Sequence, residues 1–374
     1  MEHVRKTNVL TNKTTLETLF SFENFPTYVG CVNTPKSDDT LLDLTIDICK
    51  ETGILQIKKL ASLDQVYLLP HNDAIGTVWQ EHNENFIKFI ELVSPKKILE
   101  IGGGSGQLAT NFITKHENVD WTILDPNPLF DGNLNIHSIK QYFSPELSLD
   151  KQYDVIIHSH VLEHQPLPEE FFKNISKFLI PNGFLIFSFP NLNLWLSKKY
   201  LNCMNFEHTI FLTETYVDCI LKRTGFELLN KMKYADHSIF YLTKYTGNVT
   251  PTVFPNLYLQ NKQLYMNYVK YYKDFVSEVN LKLEDFHDKV FLFGAHIFSQ
   301  YLLAFGINRK KIYGILDNSL LKINKRLYGT DLSVYSPESI KNEENVGVIL
   351  KVGSYRNEII EQLKTINPNV TIFE

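Results

Sequence analysis

Apolar runs and amphipathic stretches alternate through the middle of this chain. Each apolar run has the length of one strand, and the stretches between them carry apolar residues at helical spacing. Strands and helices that alternate in this way predict βαβ units, and hence a parallel sheet with helices on both faces. The strands are expected at 97–101, 119–125, 153–158 and 184–189, the helices at 77–92, 108–115 and 169–179, and a turn at 181–183.

The residues on either side follow other patterns. The first 75 residues mix short β-like pieces with turns, which predicts a small N-terminal α+β domain. The stretch 257–283 has apolar residues near helical spacing and predicts one long helix packed between domains. From Lys289 a strand, a glycine turn, a helix and a strand ending in Asp317 predict a second, Rossmann-like α/β domain. The expected division is therefore 1–75, a doubly wound domain at 76–250, and a linker helix plus C-terminal domain at 251–374.

A glycine cluster follows the first strand of the doubly wound domain. The segment Lys97-Ile-Leu-Glu-Ile-Gly-Gly-Gly-Ser-Gly-Gln-Leu108 carries Glu100 near the end of the strand and then Gly102, Gly104 and Gly106. Glycine tolerates positive φ and lets the backbone approach a ligand closely. The spacing matches neither the Gly-x-Gly-x-x-Gly fingerprint nor a phosphate-binding loop with Gly-Lys-Ser/Thr. It resembles the first motif of the class I S-adenosylmethionine-dependent methyltransferases.

Further candidates for cofactor binding follow in order along the chain. Asp125 ends the second strand about 20 residues past the glycines, where nucleotide-binding folds place an acid on the ribose hydroxyls. The resemblance puts Glu100 and the glycines around the amino-acid part of S-adenosylmethionine, and Gln141 or Tyr142 near its adenine. A Rossmann-like domain with some other ligand is the alternative interpretation.

Composition and charge narrow the class of protein. The chain has 374 residues, a net charge of −5 and no basic tract, which argues against non-specific binding to nucleic acid or anionic membranes. No apolar run approaches the eighteen or so residues of a membrane span, and the N-terminus has no apolar signal region. The four cysteines show no disulfide framework. A soluble protein in the reducing cytoplasm is expected.

The whole layout resembles the sugar C-methyltransferases that act on nucleotide-linked deoxysugars. That family has a small zinc-binding domain, a central S-adenosylmethionine domain and a C-terminal Rossmann-like domain. Phe206-Glu207-His208 resembles the second half of its Tyr-His-Glu-His element, whose last histidine acts as the base. The other similar segments are Ile48–Gln56, Phe293–Ala295, Leu316–Asn318, Lys322–Gly329 and Ser336–Glu338.

Two positions depart from the family pattern. Structural zinc requires four nitrogen or sulfur ligands, usually paired Cys-x-x-Cys, but Cys49 is followed by Thr52 where its partner belongs. We therefore expect no metal in a degenerate zinc-binding-like domain. Asn205 stands where the family has a tyrosine, a group suited to proton transfer or to holding an oxyanion. Its presence leaves open whether the acceptor is the same carbon acid.

Histidines supply the candidate catalytic groups. His208 is the expected base, with Glu207 orienting it or contacting the sugar, because a neutral imidazole can take a proton at cell pH. His160 and His164 follow the 153–158 strand, at the edge where open α/β sheets bind ligands. We hold His160 as a candidate for both catalysis and cofactor contact. His158 is expected to pack inside the sheet.

Three functions are compatible with these residues. The leading hypothesis is methyl transfer from S-adenosylmethionine to a nucleotide-linked keto-deoxysugar, at carbon. The alternative enzyme methylates oxygen or nitrogen on a sugar or another small metabolite, and Asn205 favours that rival. The third hypothesis is a non-catalytic binding protein with a degenerate methyltransferase fold. Substrate contacts are expected from Tyr67, His82 or the C-terminal domain.

Overall fold

The structure, a computed structural model, describes residues 3–68, 77–129 and 135–374. The N-terminal part consists of short elements, in which β2, β4 and β5 form an antiparallel sheet. The expected boundary at residue 75 lies outside the described residues. The elements are β1 His3–Val4, β2 Leu16–Pro26, β3 Cys31–Val32, β4 Leu41–Cys49, β5 Leu55–Ile57, β6 Lys59–Leu60 and α1 Leu63–Val66.

The central part is a seven-stranded sheet with the order β12-β13-β11-β10-β7-β8-β9. Strands β7 to β11 pair with one another in parallel, whereas β13 runs antiparallel to both β11 and β12. The elements are α2 Thr77–Ile90, β7 Lys97–Ile101, α3 Gln107–Ile113, β8 Asp120–Asp125, β9 Ile136–Lys140, β10 Tyr153–Ser159, α4 Pro168–Ser176, β11 Leu179–Pro190, α5 Leu192–Ser197, α6 Glu214–Arg223, β12 Phe226–Tyr234 and β13 Ser238–Tyr245.

This sheet confirms the doubly wound fold, because strands β7 and β10 are almost wholly buried, as a parallel sheet covered on both faces requires. One detail of the prediction was wrong. The expected turn at 181–183 lies inside β11, where the pairing with β10 jumps from Leu179 to Phe184. Asn182 takes a positive φ of 64° there, so the chain bulges without leaving the sheet.

The C-terminal part is a five-stranded parallel sheet with the order β17-β15-β14-β18-β19, preceded by the long helix expected at 257–283. Strand β16 lies apart from this sheet and pairs with β3 of the N-terminal part. The elements are α7 Tyr258–Glu284, β14 Lys289–Phe293, α8 Ile297–Ala304, β15 Ile312–Leu316, β16 Arg326–Leu327, β17 Val334–Tyr335, β18 Val346–Ile349, α9 Arg356–Ile366 and β19 Val370–Phe373.

Each parallel sheet has a point where the strand order reverses. In the central sheet the chain goes one way from β7 to β9 and the other way from β10 to β11, and in the C-terminal sheet the reversal lies between β14 and β18. Open α/β sheets bind ligands outside the carboxyl ends of the strands at such points. Among the described residues, no helix is both long and apolar enough to span a membrane.

Hydrogen bonds surround Cys49 at the end of β4. Its sulfur accepts from the backbone N–H of Glu51 and of Thr52, at 3.3 and 3.4 Å, and lies 3.1 Å from the hydroxyl of Thr15. The hydroxyl of Thr52 in turn accepts from the side chain of Asn8 at 3.0 Å. Polar side chains thus fill this turn of the N-terminal part.

Candidate active site

The glycine loop lies between β7 and α3. Gly102, Gly104 and Gly106 take φ values of 77°, 47° and 69°, a region that side chains other than glycine rarely adopt. A Cβ atom built on Gly104 would meet nothing within 4 Å. The backbone of the loop therefore faces open space, as a loop that wraps a cofactor requires.

Asp125 lies against this loop at the end of β8. Its Oδ2 accepts a hydrogen bond from the backbone N–H of Gly104 at 3.0 Å, and its Oδ1 accepts from Asn127 at 2.7 Å. Exposed Gln141 and Tyr142 follow β9, the neighbouring strand, and the N–H of Gln141 donates to the carbonyl of Asp125 at 3.1 Å. The structure thus brings these cofactor candidates together at one edge of the sheet.

Glu100 lies beneath the loop. The residue is 4% exposed, and its Oε2 accepts a hydrogen bond from Nε1 of Trp121 at 2.8 Å. Burial raises the pKa of the Glu100 carboxyl to about 7. A Cβ on Gly103 would lie 2.8 Å from the carboxyl carbon of Glu100. The side chain therefore supports the loop from inside the sheet.

A cavity of about 430 Å³ opens between the carboxyl edges of the two parallel sheets. Residues from the central part that line it include the catalytic candidates His160, Asn205, Glu207 and His208. The wall on the other side comes from the C-terminal part. The cavity is also lined by further residues of the central part, namely Trp79, Glu163, His164, Trp195, Tyr200, Asn202 and His237. Those from the C-terminal part include Gly294, His296, Asp317, Lys322, Gly353 and Tyr355.

His160 directly follows β10 and has a positive φ of 54°, a strained conformation that is common at functional sites. Its Nδ1 lies 3.2 Å from Oε1 of Glu163, and its Nε2 lies 2.8 Å from the hydroxyl of Ser238. Burial lowers the pKa of His160 to about 3 and raises the pKa of Glu163. His160 is therefore a neutral ring at pH 7.

His164 and His208 face each other with their ring centres 4.9 Å apart. The Nδ1 of His164 lies 3.2 Å from the hydroxyl of Tyr67, and burial lowers the pKa of His164 to about 4. The Nδ1 of His208 lies 2.9 Å from the backbone carbonyl of Asn202. A carbonyl only accepts, so Nδ1 carries the hydrogen and Nε2 of the neutral ring is left to take a proton.

The loop that carries His208 is held by Asn205. The side-chain oxygen of Asn205 accepts from the backbone N–H of Glu207 at 2.7 Å and of His208 at 3.1 Å. Oε2 of Glu207 lies 4.0 Å from Nδ1 of His164. Nδ1 of His208 is thus oriented by the Asn202 carbonyl, a contact that the sequence did not predict, whereas Glu207 was expected to orient the ring or to contact the sugar.

Several residues of the site carried no usable signal in the sequence. Trp79 and His237 come from α2 and from the turn between β12 and β13, and their rings lie 4.7 Å apart. Tyr67 and His82 were named only as candidate substrate contacts. His158, as expected, is buried in the sheet and stacks on Phe187.

Comparison with known proteins gives matches over two stretches of the chain. Residues 79–231 match a family model described as a methyltransferase domain, and residues 256–373 match one described as a C-methyltransferase C-terminal domain. The first match covers the glycine loop and most of the central sheet, and the second covers α7 and the C-terminal sheet. Along the chain, the stretch similar to a methyltransferase domain precedes the stretch similar to a C-methyltransferase C-terminal domain.

Curated relatives match a part of the chain. The ubiquinone biosynthesis O-methyltransferase of Rickettsia bellii (strain OSU 85-389) is 33% identical over 118 residues, which cover 29% of this chain and 47% of the relative. The protein of the same name from Hydrogenovibrio crunogenus is 23% identical over 200 residues, which cover 45% of this chain and 83% of that relative. The chain spans about half the length of the first of these relatives.

Solved structures match weakly. The N-methyltransferase NodS from Bradyrhizobium japonicum, in complex with S-adenosylhomocysteine, has a TM-score of 0.36 and 17% identity, covering 50% of this chain and 93% of NodS. The 1,6-didemethyltoxoflavin-N1-methyltransferase of Burkholderia thailandensis has a TM-score of 0.37 and 16% identity, covering 46% and 81%.

Proposed function

We propose that this protein transfers a methyl group from S-adenosylmethionine to a carbon beside a keto group of a nucleotide-linked deoxysugar. The observation that carries the proposal is the hydrogen bond and the position of the His208 ring. Its Nδ1 is tied to the carbonyl of Asn202 at 2.9 Å, and the residue lines the cavity between the two sheets. The match to a C-methyltransferase C-terminal domain over residues 256–373 supports carbon as the acceptor.

The residues around the glycine loop fit the cofactor. Gly102, Gly104 and Gly106 would hold its amino-acid part, Asp125 its ribose, and Gln141 or Tyr142 its adenine. When bound, S-adenosylmethionine supplies a methyl group activated by a positively charged sulfur. The open space beside Gly104 supports this assignment, because a Cβ there would meet no protein atom within 4 Å.

His208 acts as the general base. A carbon beside a ketone must lose a proton before it can attack a methyl group, and a positioned histidine accelerates such a transfer by about 10²- to 10⁴-fold. The charge that His208 gains is attracted by the carboxylate of Glu163, with which it interacts electrostatically. Holding the acceptor against the methyl group is the larger contribution, worth about 7–11 kcal/mol.

The C-terminal part provides features suited to a sugar nucleotide. Helices α8 and α9 follow the cavity-lining residues His296 and Tyr355, and their first backbone N–H groups favour an anion such as a diphosphate. Lys322, which lines the cavity and forms an ion pair with Asp317 at 3.3 Å, would offer an ammonium donor to such an anion. The nucleotide part would therefore lie on this side, and the sugar near His208.

The test is incubation with methyl-labelled S-adenosylmethionine and a panel of nucleotide-linked keto- and hydroxy-sugars. We expect label in a keto-sugar, in a methyl group that survives acid and base. His208→Asn should lower kcat by at least 100-fold and leave the Kd of the cofactor unchanged, whereas exposed His137→Asn should match the wild type. Full turnover in His208→Asn, or no label in any keto-sugar, would contradict the proposal.

Oxygen methylation is the second candidate. Two observations favour it: the curated relatives are O-methyltransferases, and Asn205, whose side-chain oxygen is bound to the backbone at 2.7 and 3.1 Å, replaces the tyrosine of the resembled family. A hydroxyl acceptor would still use His208 as its base. Label found only in hydroxy-sugars, as an ether methyl group, would select this function.

A further inference from the structure

We infer that His82, His160 and His237 form a binding site for a divalent transition-metal ion such as Zn²⁺. The three imidazoles come from α2, from the loop after β10 and from the turn before β13. One ring nitrogen of each lies within 4.8 Å of the others. The ring centres are 5.0 to 5.4 Å apart. Three neutral imidazoles form the ligand set of well-known catalytic zinc sites.

The partners of the ring nitrogens support this assignment. Histidines that bind metals almost always use the other ring nitrogen to contact a carboxylate, a carbonyl or water. Nδ1 of His82 lies 3.3 Å from the side-chain oxygen of Asn83, and Nδ1 of His160 lies 3.2 Å from Oε1 of Glu163. In each ring this contact fixes the orientation; Nε2 of His82 then has no partner among the described residues, whereas Nε2 of His160 would exchange its contact with the hydroxyl of Ser238 for the ion.

The strongest support for the metal site comes from Nε2 of His82. His82 is fully buried, and this nitrogen has no hydrogen-bond partner among the described residues. An unsatisfied buried polar group costs about 1–3 kcal/mol. No surrounding side chain among the described residues forms a hydrogen bond with this nitrogen, whereas a metal ion between the three rings would bind it.

The ligand atoms select the class of metal. Imidazole nitrogens suit Zn²⁺ and its neighbours in the first transition row, whereas Mg²⁺ and Ca²⁺ prefer oxygen. Burial lowers the pKa of His82 and His160 to about 3 and of His237 to about 2, so the rings are neutral at pH 7 as ligands must be.

The site is open on one side. His160 and His237 line the cavity, so a metal bound to the three rings would present its remaining coordination position there. Ser238 now bridges two of the rings, with its hydroxyl 2.8 Å from Nε2 of His160 and 2.6 Å from Nδ1 of His237. Zn–N bonds of about 2.0–2.1 Å require the three rings to move inwards and at least one of these contacts to break.

The test is metal binding by the full chain after chelator treatment. We expect one equivalent of Zn²⁺ to bind with a micromolar or lower Kd in calorimetry, and Co²⁺ to give visible absorption. His82→Gln and His237→Gln should each weaken binding at least tenfold. His116→Gln, a partly exposed histidine elsewhere, should bind like the wild type.

Two further variants locate the ion. Glu163, His164 and His208 form another group of three ligand atoms within 4.8 Å, so Zn²⁺ should also be titrated into His164→Gln and His208→Gln. Binding that persists in both supports the three-histidine site. The proposal is overturned if wild-type protein binds no Zn²⁺, or if binding is lost in His208→Gln and kept in His82→Gln. If His82→Gln does not fold, His237→Gln decides the test, and Zn²⁺ binding at wild-type affinity in that variant contradicts the proposal.

Discussion

Glu100 is an acid in the interior of a sheet, and its surroundings set the charge it carries. Its pKa of about 7 lies above the ordinary value of a glutamate because burial disfavours the carboxylate. The stability that the protonated form contributes is full below the ordinary pKa of about 4.3. It is lost as the pH rises through the folded value.

Glu100→Gln should therefore flatten the pH dependence of stability. Glutamine keeps an acceptor for Nε1 of Trp121 and has no charge to bury. Relative to wild type, we expect its free energy of unfolding to gain about 1–3 kcal/mol between pH 5.5 and 8.5, measured by urea titration of the apoprotein. Exposed Glu117→Gln should parallel the wild type. Parallel curves for both variants would mean that Glu100 is not protonated in the folded state.

Asn205 gives a second prediction for a single residue. Asn205→Ala removes the acceptor for two backbone N–H groups and should shift His208, so kcat should fall by about 10- to 100-fold. Asn205→Asp keeps the acceptor and should retain most of the activity. Asn205→Tyr, although it restores the residue of the resembled family, should behave like the alanine variant. Equal activity in all three would show that the loop does not depend on these hydrogen bonds.

The glycine loop predicts a contrast between two equally small substitutions. In Gly102→Ala the new Cβ would lie 2.6 Å from Cγ2 of Val161, so the free energy of unfolding should fall by about 1–3 kcal/mol. In Gly104→Ala the new atom meets no protein, so the cost is limited to backbone strain, while the Kd for S-adenosylmethionine should rise at least tenfold. Thermal unfolding and calorimetry measure the two effects. A Gly104→Ala protein that binds the cofactor normally would remove this loop from the cofactor site.

Prediction from the sequence succeeded where a property is local. Strands β7, β8, β10 and β11, helices α2, α3 and α4, the glycine turn and Asp125 follow from residues within a few positions of one another, and the structure has them in the expected order. Strands β9, β12 and β13 and helices α5 and α6 were not predicted. The bulge at 180–183 was missed because a proline–asparagine–glycine segment is typical of a turn, and only the pairing of the flanking Leu179 and Phe184 with β10 keeps the strand continuous. The ends of the elements differ from the prediction by a few residues, because contacts with distant parts of the chain also decide where an element ends.

The candidate site was predictable only in part, because its residues come from distant segments. His208 and His160 were found through a motif and through the edge of a strand. His237 lies in a turn of a hairpin, and Trp79 lies in a helix, so neither position carries a signal before the chain folds. The partner of the His208 ring, a backbone carbonyl, has no sequence signature at all.

The three parts of the molecule share one interior at the scale of the whole chain. A single apolar cluster contains Phe22 and Ile46 of the N-terminal sheet, Met204 beside the catalytic loop, Tyr268 of α7 and Leu292 of the C-terminal sheet. The N-terminal part therefore packs against the elements that surround the cavity, and its residue Val29 lines the cavity directly.

Arg326 and Asp39 form an ion pair between the N-terminal and C-terminal parts. Two guanidinium nitrogens donate to the two carboxylate oxygens at 2.7 Å each, and the side chains are only 14% and 1% exposed. The same Asp39 accepts from the backbone N–H of Gly329 at 2.7 Å. Removing one partner of such a pair leaves an uncompensated charge in a poorly solvated place.

Arg326→Gln should therefore lower the free energy of unfolding by about 2–4 kcal/mol, near the range for broken buried pairs. The matched control is Arg309→Gln, since the pair of Arg309 with Asp331 at 2.8 Å is 39% and 67% exposed and should cost at most about 1 kcal/mol. Urea unfolding followed by circular dichroism measures both. Because the pair joins β16 to the chain segment after β3, we expect the loss in Arg326→Gln to persist at high salt, whereas the small effect at Arg309 should disappear. Equal losses in the two variants would mean that the Arg326–Asp39 pair stabilises the protein no more than an exposed ion pair does.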